Sequence, residues 1–215
     1  MHTLFVDWHL SHRNYWKKRY KEETNAEPFD WLTDPVLTVQ TVLPYLDEIT
    51  NVDHINVLDL GCGNSIFPCE LLQNVPKQTN IFCLDYISES LEFQRQTVFN
   101  TIGSNANENE SRLLFVCGDA EKLPFHSNIM HLVFDKGTTD SLLKDRKHGK
   151  KRTITALSEV FRVIVPNGKV LQFTDEDPDV RLPLLEQAAK NYDASINYKI
   201  VSSGSIEYFM YCVTV

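Results

Sequence analysis

Val57–Ser65 reads VLDLGCGNS, an apolar run that ends in two glycines one residue apart and leads straight into a helical pattern. Gly61 and Gly63 lack a β-carbon, so the backbone can turn sharply there and a bulky ligand can approach its amides. A dinucleotide fingerprint would place a third glycine three residues on, where this chain has Ile66. A nicotinamide cofactor is therefore disfavoured, and a nucleoside without a pyrophosphate fits better. A tight strand-to-helix turn with no ligand is the plain alternative.

Outward from this turn, short apolar runs alternate with helical patterns, the signature of strands joined by crossover helices in a parallel sheet. The runs NVLDL, NIFCLD, RLLFVCGD, MHLVFDK and GKVLQF read as strands. A helix is expected over Ser88–Ile102, and KRTITALSEVFRVI carries Ile154, Leu157, Phe161 and Ile164 at helical spacing before a turn at Pro166–Gly168. INYKIVSS and IEYFMYCVTV, around a Ser-Gly turn, read as a hairpin added to the sheet edge. GSNANENES, Gly103–Ser111, is a polar loop, and FDWLTDPVLTVQTVLPYL looks like a helix lying over the sheet edge or its ligand.

Composition narrows the partners. With 215 residues and no apolar stretch of bilayer length, one domain without a membrane partner is expected. The formal charge of −8 disfavours nucleic acid held through its phosphates and suits a basic partner. Five scattered cysteines without a CxxC pair, and seven histidines without ligand spacing, suggest reduced thiols in an intracellular compartment and no metal. The N-terminal MHTLFVDWHLSHRNYW has one acid and some basic character, a weak likeness to a transit peptide.

Asp85 ends the second strand, where doubly wound folds place an acid to receive ribose hydroxyls, and Asp119 repeats the arrangement after the third. Helix capping is the competing role for Asp85, with Ser88 its rival. Downstream, QFTDEDPDVRLPLLEQ sets Asp175, Glu176, Asp177 and Asp179 on the same carboxyl edge. This stretch is either a solvated loop, with Asp177 as N-cap and Pro178 first in the helix, or an acidic mouth that steers a cationic substrate.

VLDLGCGNS, Asp85, GDAEKLPF and LSEVFRVIVPNGK together resemble the seven-strand S-adenosylmethionine-dependent methyltransferases over nearly the whole chain. YWKKRY, FDWL, LGCGNS and DKGTTDSLL are similar to the group that methylates protein lysines. The acidic stretch is similar to that of the members acting on citrate synthase in mitochondria. The resemblance implies an α/β, Rossmann-like seven-strand sheet, mostly parallel with an antiparallel C-terminal hairpin and helices on both faces. It implies one methyltransferase domain, with residues 1–50 as a helical lid and 51–215 as the core. S-adenosyl-L-methionine is the implied cofactor, citrate synthase the implied protein substrate, and the mitochondrial matrix the implied location; a monomer is expected. A cytosolic enzyme of elongation factor 1A, a small-molecule methyltransferase and a non-catalytic cofactor-binding adaptor are the alternatives.

By that resemblance Gly61 and Gly63 lie against the methionine part of the cofactor, Asp85 and Tyr86 take the ribose and flank adenine, and Asp119 with Ala120 meets the adenine edge. Trp16 and Tyr20 close over the cofactor, although at i and i+4 they also suit a packed helical face. Lys136 sits near the methionine carboxylate. Phe29 stands where relatives often have tyrosine. Asp135 and Asp140 are the candidates to orient the acceptor amine, and Asp175, Glu176 and Asp177 to bind the substrate.

Overall fold

The computed structural model describes residues 8–22, 28–75, 78–102, 110–204 and 206–215. The first seven residues of the transit-like segment, most of the Gly103–Ser111 loop and Ser205 of the hairpin turn lie outside the described residues.

Seven strands form one sheet in the order β3-β2-β1-β4-β5-β7-β6. They are β1 (Ile55–Leu60), β2 (Thr79–Asp85), β3 (Arg112–Cys117), β4 (Met130–Lys136), β5 (Ile164–Thr174), β6 (Ser195–Ser203) and β7 (Ile206–Thr214). The first five run parallel, while β7 is antiparallel to both β5 and β6. The helices are α1 (Arg13–Glu22), α2 (Pro35–Asp47), α3 (Phe67–Asn74), α4 (Ser88–Ile102), α5 (Thr138–Leu143), α6 (Gly149–Val163) and α7 (Pro178–Ala189), and a 3-10 turn spans Trp8–Ser11.

The inner strands are apolar on both faces because both faces are covered. Val57, Leu132, Phe134 and Leu171 pack with Val42 and Leu46 of α2 and Phe67 and Leu71 of α3. Their neighbours Leu58, Leu60, Val133 and Val170 pack on the other side against Leu157 and Phe161 of α6 and Leu185 of α7. The order reverses between β1 and β4, so their carboxyl ends splay apart and open a crevice.

Three sequence expectations need correction. The connection from β3 to β4, residues 118–129, contains no helix; an isolated bridge between Asp119 and Lys122 closes a turn there. The Pro166–Gly168 turn falls inside β5, which begins at Ile164 and absorbs the turn as a register shift opposite Met130 and Leu132. The Phe29–Leu46 stretch is not all helix: α2 starts at Pro35, because Asp34 accepts a hydrogen bond from the Leu37 amide at 2.9 Å and caps it. Before the cap, Leu32 has φ +67°, left-handed backbone that side chains rarely adopt.

Candidate active site

A cleft opens at the carboxyl ends of β1, β2 and β4, beneath α1 and the Phe29–Leu32 turn, and extends to α5 and Asp175. Gly61 and Gly63 form its floor, both at positive φ. A β-carbon on Gly61 would run into Thr138, whose hydroxyl donates to the Leu60 carbonyl at 2.8 Å. A β-carbon on Gly63 would stand 2.7 Å from the Tyr20 hydroxyl. The glycines are thus needed for backbone conformation and for close approach together.

Asp85 lines the cleft and is 5% exposed. Its carboxylate accepts from the Gly63 amide at 3.0 Å and the Ile87 amide at 2.8 Å, so it also holds the glycine turn against the start of α4. Burial pushes it up to about 6, although those amides pull the other way. Tyr86 lines the cleft beside it, as do Asp119 and Ala120. Asp119 also accepts from the Glu121 amide at 2.9 Å, which shapes its own turn.

Asp59, which sequence reasoning passed over, faces the same cleft. It is 4% exposed, and one carboxylate oxygen has no hydrogen-bond partner among the described residues. Burial raises it to about 8; Lys136 works against that shift, while Asp30 adds to it. The signal was available in the sequence: an acid inside an otherwise apolar strand, one pleat from the glycine turn. An orphaned buried acceptor beside a β-carbon-free floor fits a ligand that brings an ammonium group, as S-adenosylmethionine does. The residues present therefore fit that cofactor.

The N-terminal segment covers this floor. Trp16 is buried, stacks on Tyr20 with ring centroids 5.9 Å apart, and donates from its indole to the Leu10 carbonyl at 2.6 Å. Ser141 of α5 donates to the same carbonyl at 2.9 Å, and Arg152 of α6 donates to the Ser11 carbonyl at 3.1 Å. Arg13 donates to the Tyr86 carbonyl at 2.7 Å. Trp16 and Tyr20 thus pack as a helical face, and the same two side chains line the cleft. Burial, then Asp85, raises the Tyr20 hydroxyl well above its usual range.

Lys136 lines the cleft with its ammonium 2.7 Å from Asp30, an ion pair buried on both sides. Asp30 also accepts from Ser65, and so ties the Phe29–Leu32 turn to both β4 and the glycine loop. Nothing in FDWL marks Asp30 for this until Lys136 is seen across from it.

On the acceptor side the expected residues separate. Asp135 does not line the cleft; it accepts from the Thr138 and Thr139 amides at 3.0 and 3.3 Å and from Gln172 at 2.7 Å. It anchors the start of α5, so the expectation that it orients an amine is corrected. Asp140 does line the cleft, but it pairs with Arg181 and accepts from Thr174 at 2.8 Å. Burial raises Asp140 to about 7 against the pull of Arg181. Arg181, fully buried, was missed, although it falls in helical register with Leu184, Leu185 and Ala188 on the inner face of α7.

Asp175 lines the cleft, while Glu176 stands 3.3 Å from the ammonium of Lys144, itself a cleft residue. Burial works against the Lys144 charge, yet Glu176 and Asp175 outweigh it and raise its pKa. Asp177 is exposed and caps α7, accepting from the Asp179 amide at 3.0 Å. For Asp177 the capping expectation describes the contact observed, and it does not line the cleft.

A seven-strand Rossmann-like sheet with a glycine turn, an acid after β2 and a roofed cleft at the switch point is the fold of the S-adenosylmethionine-dependent methyltransferases. The family described as methyltransferase domain matches residues 51–208, and the chain belongs to it. Over 211 residues the chain is 29% identical to the mitochondrial citrate synthase-lysine N-methyltransferase of Homo sapiens, covering 95% of this chain and 86% of that one. It is 30% identical over 198 residues to EEF1A lysine methyltransferase 4 of Mus musculus, covering 88% and 70%. Among solved structures it resembles magnesium protoporphyrin IX methyltransferase of Synechocystis with bound SAM, with TM-score 0.67 and 13% identity over 94% of each chain. A second is the N-methyltransferase NodS of Bradyrhizobium japonicum in complex with S-adenosyl-L-homocysteine, with TM-score 0.62 and 12% identity over 93% of this chain and 97% of that one. These last two likenesses concern the fold. The protein is a methyltransferase whose cofactor is S-adenosyl-L-methionine.

Proposed function

We propose that this protein is a protein-lysine N-methyltransferase that acts on citrate synthase in the mitochondrial matrix. Within the 1–50 segment, α1 and the Phe29–Leu32 turn serve as a lid, while α2 packs with the core. The observation that carries the reading is at the mouth: the acids beyond β4 and β5 already hold a lysine ammonium, that of Lys144, as they would hold an acceptor's. The near full-length similarity to a citrate synthase-lysine N-methyltransferase supports the substrate and the compartment.

In this reading Asp59 takes the cofactor's ammonium, Asp85 its ribose hydroxyls, and Tyr86, Asp119 and Ala120 its adenine. Lys136 acts through Asp30 to fix the turn that roofs the methionine end. S-adenosylmethionine supplies, when bound, a methyl activated by its sulfonium. The chain's task is then to align a neutral amine in line with that methyl and keep water out, a contribution of about 7–11 kcal/mol. Trp16 and Tyr20 exclude water. An acceptor lysine starts protonated, with an ordinary pKa of about 10.4, and the apolar roof favours its neutral form. Asp140, rather than Asp135, orients the amine, while Asp175 and Glu176 receive it at the mouth.

Radiolabelled methyl transfer into mitochondrial and cytosolic extracts tests this. One labelled band at the mass of citrate synthase is expected; a band in cytosol alone would point to an acceptor such as elongation factor 1A, and label confined to small molecules would overturn the protein-substrate reading.

A further inference from the structure

The loop after α5 and the first turn of α6 read KDRKHGKKR, Lys144–Arg152, a concentrated positive charge in a chain whose formal net charge is −8. Lys144 and Arg152 are engaged inside, with Glu176 and with Glu121. Arg146, Lys147, Lys150 and Lys151 point out: all four are exposed, and none has a side-chain hydrogen bond or ion pair among the described residues. They are not spread over a convex face. Together with Asp145, which is paired with Arg152 at 3.6 Å, and with Ile154 and Gln187 they line an open concavity between this loop, α6 and α7. Unpaired like charges that crowd one hollow repel one another, and an anion seated there would relieve that repulsion.

The hollow adjoins the cleft. Lys144 belongs to the same loop, next in sequence to Leu143 and Asp145 of the hollow, but lines the cleft, where it meets Glu176; Asp175, Asp177 and Asp179 stand beyond it at the start of α7. The surface is thus divided by Lys144, basic on one side and acidic on the other. We propose that this basic hollow is a second recognition surface, which docks an acidic segment of the protein substrate beside the lysine being methylated. The inference rests on the protein-lysine reading above and adds a demand to it: the acceptor must present a cation to the acidic mouth and a carboxylate-rich stretch to the hollow. A nucleic acid fits less well, because its charge continues at close spacing along its length and would run on over the acids before α7.

The full chain and the variant R146Q/K147Q/K150Q/K151Q test it, with thermal melting to check that exposed replacements leave the fold intact. Three labelled probes are used at low salt: a lysine peptide flanked by glutamates, the same peptide with glutamines, and an oligothymidylate of matching charge. The parent should bind the glutamate peptide about tenfold more tightly than the glutamine one, and the variant should lose that preference. A preference retained by the variant, or tighter binding of the oligothymidylate by the parent, overturns the inference. With citrate synthase as acceptor, the variant should show a raised KM with kcat held. An unchanged KM overturns the docking role and leaves the proposed function standing. A parent that transfers methyl to no protein removes the proposed function, while the peptide measurement still decides whether the hollow binds acidic segments.

Discussion

The ends of β1 and β2 and the ends of β4 and β5 meet at one cleft, yet they keep their buried acids in different ways. Asp59 has an oxygen without a partner and Asp85 leans on backbone amides and the Ser90 side chain, with no cation bonded to either among the described residues. Burial raises them to about 8 and about 6, as it raises Asp140 to about 7. Asp140, equally buried, is matched by an arginine that is itself fully enclosed, with Thr174 sharing the load. The first pair stands ready for something the chain does not supply. The second, Asp140 with Arg181, braces α5 against α7 while Asp140 still faces the cleft. A buried acid without a cationic hydrogen-bond partner therefore marks the ligand side, and one matched by a buried guanidinium marks the support, even though Arg181 Nε and Gln172 Oε1 there also lack partners among the described residues.

The largest expected effect falls on the side where acid and guanidinium are paired. Asp140→Ala would leave the Arg181 guanidinium buried and uncompensated, which costs about 3–5 kcal/mol. The melting temperature should fall by roughly 6–20 °C, and replacing both partners with apolar residues should recover most of it. If Asp140→Ala melts like the parent while methyl transfer vanishes, the two halves do not differ as described.

On the other side the effect should appear in binding instead. Asp59→Asn removes a carboxyl whose ionisation burial disfavours and one of whose oxygens has no hydrogen-bond partner among the described residues, so the cofactor-free protein should be as stable as the parent or more so. Calorimetry should show S-adenosyl-L-homocysteine bound about tenfold or more weakly, as expected for a charge-assisted contact of about 1.5–3 kcal/mol.

The same acid gives a pH signature. A carboxyl whose folded pKa is raised binds its proton more tightly folded than unfolded, so it favours folding at low pH. Its contribution is lost as pH rises from about 4, the ordinary aspartate value, through about 8. Asp85 and Asp140 act in the same direction up to about 6 and about 7. Denaturant unfolding of the cofactor-free protein should therefore show falling stability between pH 5 and pH 8, and Asp59→Asn should flatten the upper part of that fall. An identical slope in the variant would remove Asp59 as its source.

The contrast also explains what could be read from the chain. The strands and the glycine turn were legible because they rest on local rules: apolar runs covered on both faces, and positions where a β-carbon has no room. Asp85 and Asp119 followed from their place at strand ends. Asp135 was misread because a strand-end acid looks the same whether it faces a ligand or caps the next helix, and only the Thr138 and Thr139 amides decide. Asp30 and Lys136 lie far apart in sequence, and their pairing depends on a turn with Leu32 in left-handed backbone, which no periodicity foretells. Arg181 was within reach, since its spacing with Leu184 and Leu185 puts it on a buried face, where a charge implies a buried partner.

The smallest expected effect lies at the mouth, where the two halves face solvent. Replacing Asp175, Glu176 and Asp177 by Asn, Gln and Asn removes charge while keeping shape. Asparagine caps helices about as well as aspartate, so α7 should keep its start at Asp177 and the melting temperature should hardly move. Lys144 loses its partner Glu176, a pair of the partly exposed kind worth about 0.2–1 kcal/mol. An acceptor lysine that uses the same carboxylates should lose a similar amount for each contact, so KM for citrate synthase should rise about two- to fivefold. Cofactor affinity should stay as it was, because Asp59 and Asp85 are untouched. The difference should shrink as salt is added, since exposed charges are screened beyond about 8 Å at physiological ionic strength. Were KM and its salt dependence both to match the parent, the acids after β5 would serve α7 alone, and the mouth would belong to the supporting half of the molecule.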